Sequence, residues 1–179
     1  MIFNKDKFSK MMNEHFNWIV EMNYHKTSFL EKTILVYSEI GEASNELRGN
    51  TIREGFGEEL SDILLRMMAI VSQLNLEDLF LNFTMESIEY YSTRELINTE
   101  ISELEKIRYI IKPMNSAFAI VDEDYNLENS SNRLDFIYNL SNIFTAVYII
   151  ASKKEINISE IIQFKINKNI NNGNKGRLK

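Results

Sequence analysis

Apolar residues recur every three or four positions along most of the chain, and this spacing predicts amphipathic helices. The strongest pattern predicts a helix over residues 58–74, whose apolar side chains share one face: Leu60, Ile63, Leu64, Met67, Ile70, Val71 and Leu74. Similar patterns predict helices over 7–22 and 133–152, and a last helix over about 157–171. Because no segment alternates apolar and polar residues in steps of two, we expect an all-α fold, an antiparallel helical bundle.

Capping residues predict where the second helix begins. Ser28 and Glu31 have the spacing of a capping box, in which each residue satisfies a free backbone N–H of the first turn. The apolar spacing that follows predicts a helix that ends near 48–49. Residues 51–54 have the pattern of a weaker capping box and precede the strongest helix.

Polar residues and the single proline predict the boundaries in the middle of the chain. Asn75, with Asp78 three residues later, is expected to cap the fourth helix. A further helix is expected to start at 92–95 and to end at Pro113, because proline lacks the N–H that a helix interior needs. The polar stretch 114–132 is then the expected irregular insertion.

Three short matches predict an internal repeat. The matched pairs of segments are 38–43 with 99–104, 60–64 with 140–144, and 75–79 with 157–161. The chain is therefore expected to form one domain, 1–179, made of two helical halves at about 27–90 and 93–171, followed by a basic tail at 172–179. Helix-rich sequences also align by chance, so duplication and coincidence remain alternatives at this point.

Composition narrows the functional classes. The chain has 179 residues, no cysteine, and a formal net charge of −6. Without cysteine, disulfides and a thiol nucleophile are excluded, and the negative charge disfavours nucleic acid as a partner. The longest apolar run, 143–151, is shorter than the ~20 residues of a membrane span. The N-terminus lacks the apolar core of a signal peptide, so we expect a cytoplasmic protein with no membrane partner.

Two pairs of acidic residues carry the candidate chemistry. Glu39 and Glu42 share a face of one predicted helix, and Glu59 and Asp62 share a face of the next. Because a short connection makes these helices antiparallel neighbours, the four carboxylates can converge on one groove. An all-oxygen cluster suits Mg²⁺, or Mn²⁺, as cofactor. The alternative is that each pair is an ordinary solvated helix face.

The neighbouring residues bear on this choice. The small residues Gly41, Ala43 and Ser61 lie beside the acids and would leave room for a metal and its ligand. Only His15 and His25 are present, and neither follows a glutamate by three residues, which disfavours a di-iron bundle and zinc chemistry. Both histidines are expected to be surface or packing residues.

The C-terminal region is basic. After Glu160 the only charged residues are cations, with asparagines among them: Lys165, Lys168, Lys175, Arg177 and Lys179. Such a tail either solubilises the chain or contacts the outer oxygens of a bound polyphosphate. Weak binding of nucleic acid is a third alternative, which the negative charge of the rest of the chain opposes.

The paired acid motifs and their surroundings, 37–43 and 57–66, resemble the all-α nucleoside triphosphate pyrophosphohydrolases, the MazG-like and dimeric dUTPase-like superfamily. A later Lys-x-x-x-Asn element of that family is similar to Lys165 and Asn169 with Lys175 and Arg177 after them. The resemblance covers about 27–79 and 157–177. The second half keeps acids at Glu100 and Glu103 but has Asn139 and Asn142 at the other two acid positions, as follows from the repeat.

The resemblance implies an enzyme that hydrolyses a (deoxy)nucleoside triphosphate to the monophosphate and pyrophosphate, and a homodimer. It implies that Glu39, Glu42, Glu59 and Asp62 hold Mg²⁺ and that Glu42 also deprotonates the attacking water. Lys165, Asn169, Lys175 and Arg177 would bind the substrate phosphates. Trp18 and Phe16 are either base-stacking residues or plain core or dimer-interface aromatics. The alternative function is a non-catalytic helical protein that binds nucleotide, regulates or mediates interaction.

Overall fold

The structure, a computed structural model, describes residues 3–48, 52–92, 102–122, 127 and 129–172. These residues hold a short 3₁₀ turn at Tyr24–Lys26 and eight α-helices: α1 (Lys5–Glu21), α2 (Phe29–Asn45), α3 (Phe56–Gln73), α4 (Glu77–Ser92), α5 (Glu103–Lys106), α6 (Arg108–Asp122), α7 (Ser130–Lys153) and α8 (Ile158–Asn172). No strand occurs among them. The predicted all-α helical bundle is confirmed.

Helix α2 begins as its capping box predicts. The Ser28 hydroxyl accepts from the Glu31 N–H at 3.1 Å, and the Glu31 carboxylate accepts from the Ser28 N–H at 3.0 Å. The helix ends at Asn45, a few residues before the predicted boundary. The box at 51–54 includes Thr51, which lies outside the described residues, and α3 begins after Gly55 without a side-chain cap.

The prediction that Asn75 caps α4 is wrong. Asn75 has φ 54°, in the left-handed region, whereas an N-cap residue has an extended backbone. Its N–H donates to the Ser72 carbonyl at 3.1 Å, so Asn75 belongs to the turn that follows α3. The carbonyl of the next residue, Leu76, accepts from the Phe80 N–H at 3.0 Å, so Leu76 is the residue directly before α4.

Pro113 does not end a helix, and the described part of 114–132 is mostly helical: 114–122 belong to α6 and 130–132 to α7, while 123–126 and 128 lie outside the described residues. Pro113 lies inside α6, which continues to Asp122. The missing hydrogen bond is offset by burial, since Ile110, Met114 and Ala117 on both sides of the proline are fully buried. The predicted helix start at 92–95 also fails at its first residue, because Ser92 is the last residue of α4; 93–101 lie outside the described residues.

Two helical hairpins form the centre of the bundle. Helix α2 packs on α3, α6 packs on α7, and the two hairpins meet through α3 with α7 and α2 with α6. Helix α8 covers α3, and α4 covers α7. Helix α1 packs on α3, α4 and α8. By length and composition α7 would suit a membrane span, but 67% of its most apolar window is buried inside the bundle, so helix packing accounts for its apolar character.

The two hairpins share a pattern of buried positions. The buried residues Thr33, Val36, Ile40 and Ala43 of α2 have the same spacing as Ile107, Ile110, Met114 and Ala117. This register places Pro113 and Ser116 at the positions of Glu39 and Glu42. The match of 60–64 with 140–144 extends along both helices and equates Arg66 of α3 with Ala146 of α7.

The sequence match between 38–43 and 99–104 is not reproduced by the helix packing. Helix α6, not α5, is the hairpin partner of α7. Glu103 lies in α5, and Glu100 lies outside the described residues. The duplication itself stays a prediction.

Candidate metal centre

Three of the four predicted acids come together between α2 and α3. One carboxylate oxygen from each of Glu39, Glu42 and Glu59 lies within 4.8 Å of the others. Glu39 is only 9% exposed, Glu59 is half-buried and Glu42 is exposed. Within the described part of the chain no other group of histidine and acidic side chains of this size could hold a metal ion. We call Glu39, Glu42, Glu59 and Asp62 the acidic centre.

Helix packing explains why these side chains converge. Glu39 and Glu42 flank the buried Ile40 and precede the buried Ala43, so the α2 face that contacts α3 carries the acids along its edge. On α3, Glu59 lies next to the fully buried Leu60. The two helices run antiparallel, since Glu42 meets Glu59 near the start of α3 whereas Glu39 meets Arg66 further along it.

The fourth acid, Asp62, is held by a cation from α8. The Lys165 ammonium donates to Asp62 Oδ2 at 2.5 Å and to the Glu58 carbonyl at 2.9 Å. The Lys165 side chain is 15% exposed, so this ion pair is largely shielded from water. The structure therefore places Lys165 beside the acids, on a helix that is distant from them in sequence.

Arg66 is a member of the site that sequence reasoning missed. Its Nε and Nη2 atoms each lie 3.1 Å from Glu39 Oε1. The available signal was its position four residues after Asp62, which puts both side chains on the same face of α3.

The crowding of carboxylates in the acidic centre affects the pKa of Glu59. Burial raises the pKa of its carboxyl, and the charges of Asp62 and Glu42 raise it further. The Lys165 ammonium opposes this effect. A divalent cation would relieve the same repulsion, so the electrostatics favour cation binding.

A close approach of α8 to α3 positions Lys165. A Cβ atom on Gly57 would lie 3.0 Å from Ile161 Cδ1 and 3.1 Å from Ile156 Cγ2. A larger residue at this position would therefore require these isoleucine side chains, or α8 itself, to move. By contrast, Gly41 has open space around it, while Ala43 and Ser61 are fully buried and leave no room for a ligand there.

The remaining predicted residues have varied placements. Asn169 is half-buried on α8, one turn after Lys165, while Lys175 and Arg177 lie outside the described residues. Trp18 stacks on His15 at 5.9 Å and meets Tyr24 edge-to-face at 5.6 Å, as a packing aromatic does. Burial lowers the pKa of His15 to about 4, which keeps its imidazole neutral at pH 7.

Comparison with protein-family models, curated proteins and solved structures finds no match for this chain. On structural grounds the protein belongs to the all-α class, a helical bundle.

Proposed function

We propose that the protein hydrolyses a (deoxy)nucleoside triphosphate to the monophosphate and pyrophosphate, with Mg²⁺ or Mn²⁺ as cofactor. One observation supports this most strongly: carboxylate oxygens of Glu39, Glu42 and Glu59 lie within 4.8 Å of one another between two core helices. The acid motifs that resemble the all-α pyrophosphohydrolases supply the reaction type.

The donor set fits a hard divalent cation. Glu39, Glu42, Glu59 and Asp62 offer only carboxylate oxygens, and Mg²⁺ prefers such ligands while keeping waters for substrate phosphates. When bound there, the cation would supply charge neutralisation and a Lewis acid for phosphate oxygens.

Glu42 is suited to proton transfer because it is the exposed member of the cluster. In the proposed reaction its carboxylate accepts a proton from water as the water oxygen bonds to the α-phosphorus. The bond from the α-phosphorus to the bridging oxygen breaks, and pyrophosphate leaves with that oxygen.

Lys165 is suited to bind the phosphates, since its ammonium already lies 2.5 Å from Asp62 at the edge of the acidic centre. Exchange of that carboxylate for a substrate phosphate would place a cation on the leaving group. Asn169, one turn further along α8, is the next donor on that side. The homodimer, the cytoplasmic location and the roles of Lys175 and Arg177 stay predictions.

A second candidate function is a non-catalytic helical protein. The specific observation in its favour is that two of the four acids are already neutralised by the chain itself, Glu39 by Arg66 and Asp62 by Lys165. In that case the acidic centre would be a structural ion-pair network.

The experiment is an assay of pyrophosphate release from the ribonucleoside and deoxynucleoside triphosphates with Mg²⁺ or Mn²⁺. We expect turnover of at least one substrate and a loss of at least ~100-fold in Glu42→Gln, the scale typical of a lost general base. Glu86→Gln is the matched control, because Glu86 and Glu89 have the same i, i+3 spacing on α4, where both are exposed.

The proposal fails if no triphosphate is hydrolysed above the metal-only rate. It also fails if Glu42→Gln and Glu86→Gln hydrolyse the best substrate at the same rate. Either result favours the non-catalytic candidate.

A further inference from the structure

A cavity of about 630 Å³ lies between α6 and α7, in the second hairpin. Its volume falls in the range of roughly 300–1,000 Å³ that is usual for small-molecule sites. We call it the α6–α7 cavity.

The α6–α7 cavity occupies the place that the acidic centre occupies in the first hairpin. The residues in register with the four acids all line it: Pro113, Ser116, Asn139 and Asn142. Ala146, which lines the cavity, stands where α3 has Arg66, whose guanidinium pairs with Glu39 in the first hairpin. The same position therefore carries an ion-paired cation in one half and a small apolar side chain in the other.

The charge of the α6–α7 cavity is opposite to that of the acidic centre. Among the described residues no aspartate or glutamate lines it, whereas Arg108 and Lys112 of α6 do. Lys112 is exposed and has no ion-pair partner in the described part of the chain. The Arg108 guanidinium lies 5.0 Å from the centre of the Tyr109 ring, which also lines the cavity. An anion fits this lining, and a metal ion does not.

The wall formed by α7 carries polar groups with no partner among the described residues. Thr145 is 1% exposed, and its hydroxyl has no hydrogen bond. The buried Oδ1 of Asn142, which also lines the cavity, lacks one as well. Since buried polar groups are nearly always hydrogen-bonded, these two atoms point to a ligand that carries its own donors and acceptors.

We propose that the α6–α7 cavity binds a nucleoside monophosphate. Arg108 and Lys112 hold its phosphate, since charge-assisted contacts to phosphate are the strongest that these side chains make. Asn142 and Thr145 hydrogen-bond the edge of the base. Its flat faces lie against the apolar walls formed by Tyr109, Pro113 and Ile149, which also line the cavity. This proposal does not rest on hydrolysis at the acidic centre.

The test is isothermal titration calorimetry of the full-length protein in EDTA, which removes any metal from the acidic centre. The probes are AMP, GMP, CMP and UMP, with free nucleosides, ribose 5-phosphate and inorganic phosphate as separate arms. We expect saturable binding of at least one monophosphate, and at least tenfold weaker binding of its nucleoside, of ribose 5-phosphate and of phosphate.

Variants locate the binding. Lys112→Gln and Thr145→Val are each expected to weaken it at least fivefold, while Lys26→Gln, at an exposed lysine outside the cavity, leaves it unchanged. Thr145→Val removes a hydroxyl that has no partner, so it should melt no lower than the wild type, and a loss of binding is then not a loss of folding. Glu59→Gln should bind as the wild type does.

The proposal is overturned if no monophosphate binds at millimolar concentration. It is overturned if ribose 5-phosphate or phosphate alone binds as tightly, if Lys112→Gln binds like the wild type, or if Glu59→Gln abolishes binding. The last result would place the ligand at the acidic centre.

Discussion

The α2–α3 and α6–α7 hairpins bury their apolar residues in the same order, yet they present different chemistry in the groove between their helices. The first groove contains the acidic centre and Arg66, whereas the second contains an open cavity with amides, hydroxyls and two cations. The covering helices differ in the same way. Lys165 of α8 lies 3.9 Å from Glu58 in one half, and Phe83 of α4 packs edge-to-face on Tyr138 at 5.9 Å in the other.

This comparison shows which positions the two hairpins share and at which positions they differ. Each of the pairs Leu60 and Leu140, and Ser61 and Ser141, is fully buried and is unchanged between the halves. The halves differ at half-buried positions, where Asp62 corresponds to Asn142, and also at buried ones, where Leu65 corresponds to Thr145. Since a helix turn exposes some positions whatever its core contacts are, one scaffold can present different polar groups in its two grooves.

The largest expected effect is on the free energy of unfolding at low pH. It comes from His15 of α1, the helix that covers the first hairpin. Burial lowers the pKa of His15 to about 4, so the folded state binds its proton less readily than the unfolded state, in which the pKa is near 6.5. Stability is therefore lost as pH falls from 6.5 towards 4. The expected loss is about 3 kcal/mol at pH 4, from 1.36 kcal/mol per unit of pKa difference.

Urea unfolding of the wild type and of His15→Phe at pH 7 and pH 4.5 measures this effect. The wild type should lose about 2–3 kcal/mol more than the variant over that interval. Equal losses in the two proteins would contradict a buried, neutral His15.

Substitutions at corresponding positions of the two covering helices, Lys165 of α8 and Phe83 of α4, should affect the two halves differently. Without metal, Lys165→Met leaves Asp62 and Glu59 uncompensated, and we expect a loss of about 2 kcal/mol, reduced from the buried-pair value because Asp62 is partly exposed. Millimolar Mn²⁺ should recover part of it. Phe83→Met, at the corresponding position, loses packing alone, so Mn²⁺ should not recover its stability. The same recovery in both variants would contradict a metal site at the acidic centre.

The rise in melting temperature with Mn²⁺ tests whether the acidic centre of the first hairpin binds a metal ion. At ten times its dissociation constant, Mn²⁺ stabilises by about 1.4 kcal/mol, which corresponds to a rise in melting temperature of about 3–6 °C for a chain of this size. Glu59→Gln should abolish that rise and, without metal at pH 7, should melt no lower than the wild type, because the pKa of Glu59 is raised by folding. Glu86→Gln should keep the full rise. Loss of the rise in both variants would show that exposed acids in general bind the ion.

Much of this arrangement could be predicted from the sequence, and the failures have physical causes. The spacing of Glu39, Glu42 and Glu59 on neighbouring helices predicted that their side chains share a groove, because helix geometry is regular. The prediction that a helix ends at Pro113 failed because burial of the residues on both sides of it outweighs one lost hydrogen bond. The sequence does not predict the α6–α7 cavity, because the acidic segment 38–43 of α2 matches 99–104, which precedes α6. The equivalent positions of the two hairpins are identified by the order of their buried residues, and only the packing reveals that order.

The smallest expected effects come from two glycines of the first half. Gly57→Ala places a Cβ 3.0 Å from Ile161, so α8 must move away or its side chains must rearrange. We expect a loss of about 1 kcal/mol, at the lower end for overpacking because the contacts are side-chain tips. In the second hairpin the corresponding position is Ile137, which is fully buried, so that half does not need a glycine there.

Gly41→Ala is the matched control: its Cβ meets nothing within 4 Å, and alanine should stabilise α2 by about 0.5–1 kcal/mol. Urea unfolding of the two variants measures whether each substitution lowers or raises the free energy of unfolding. If Gly57→Ala were as stable as Gly41→Ala, the close approach that brings Lys165 to Asp62 would not depend on glycine.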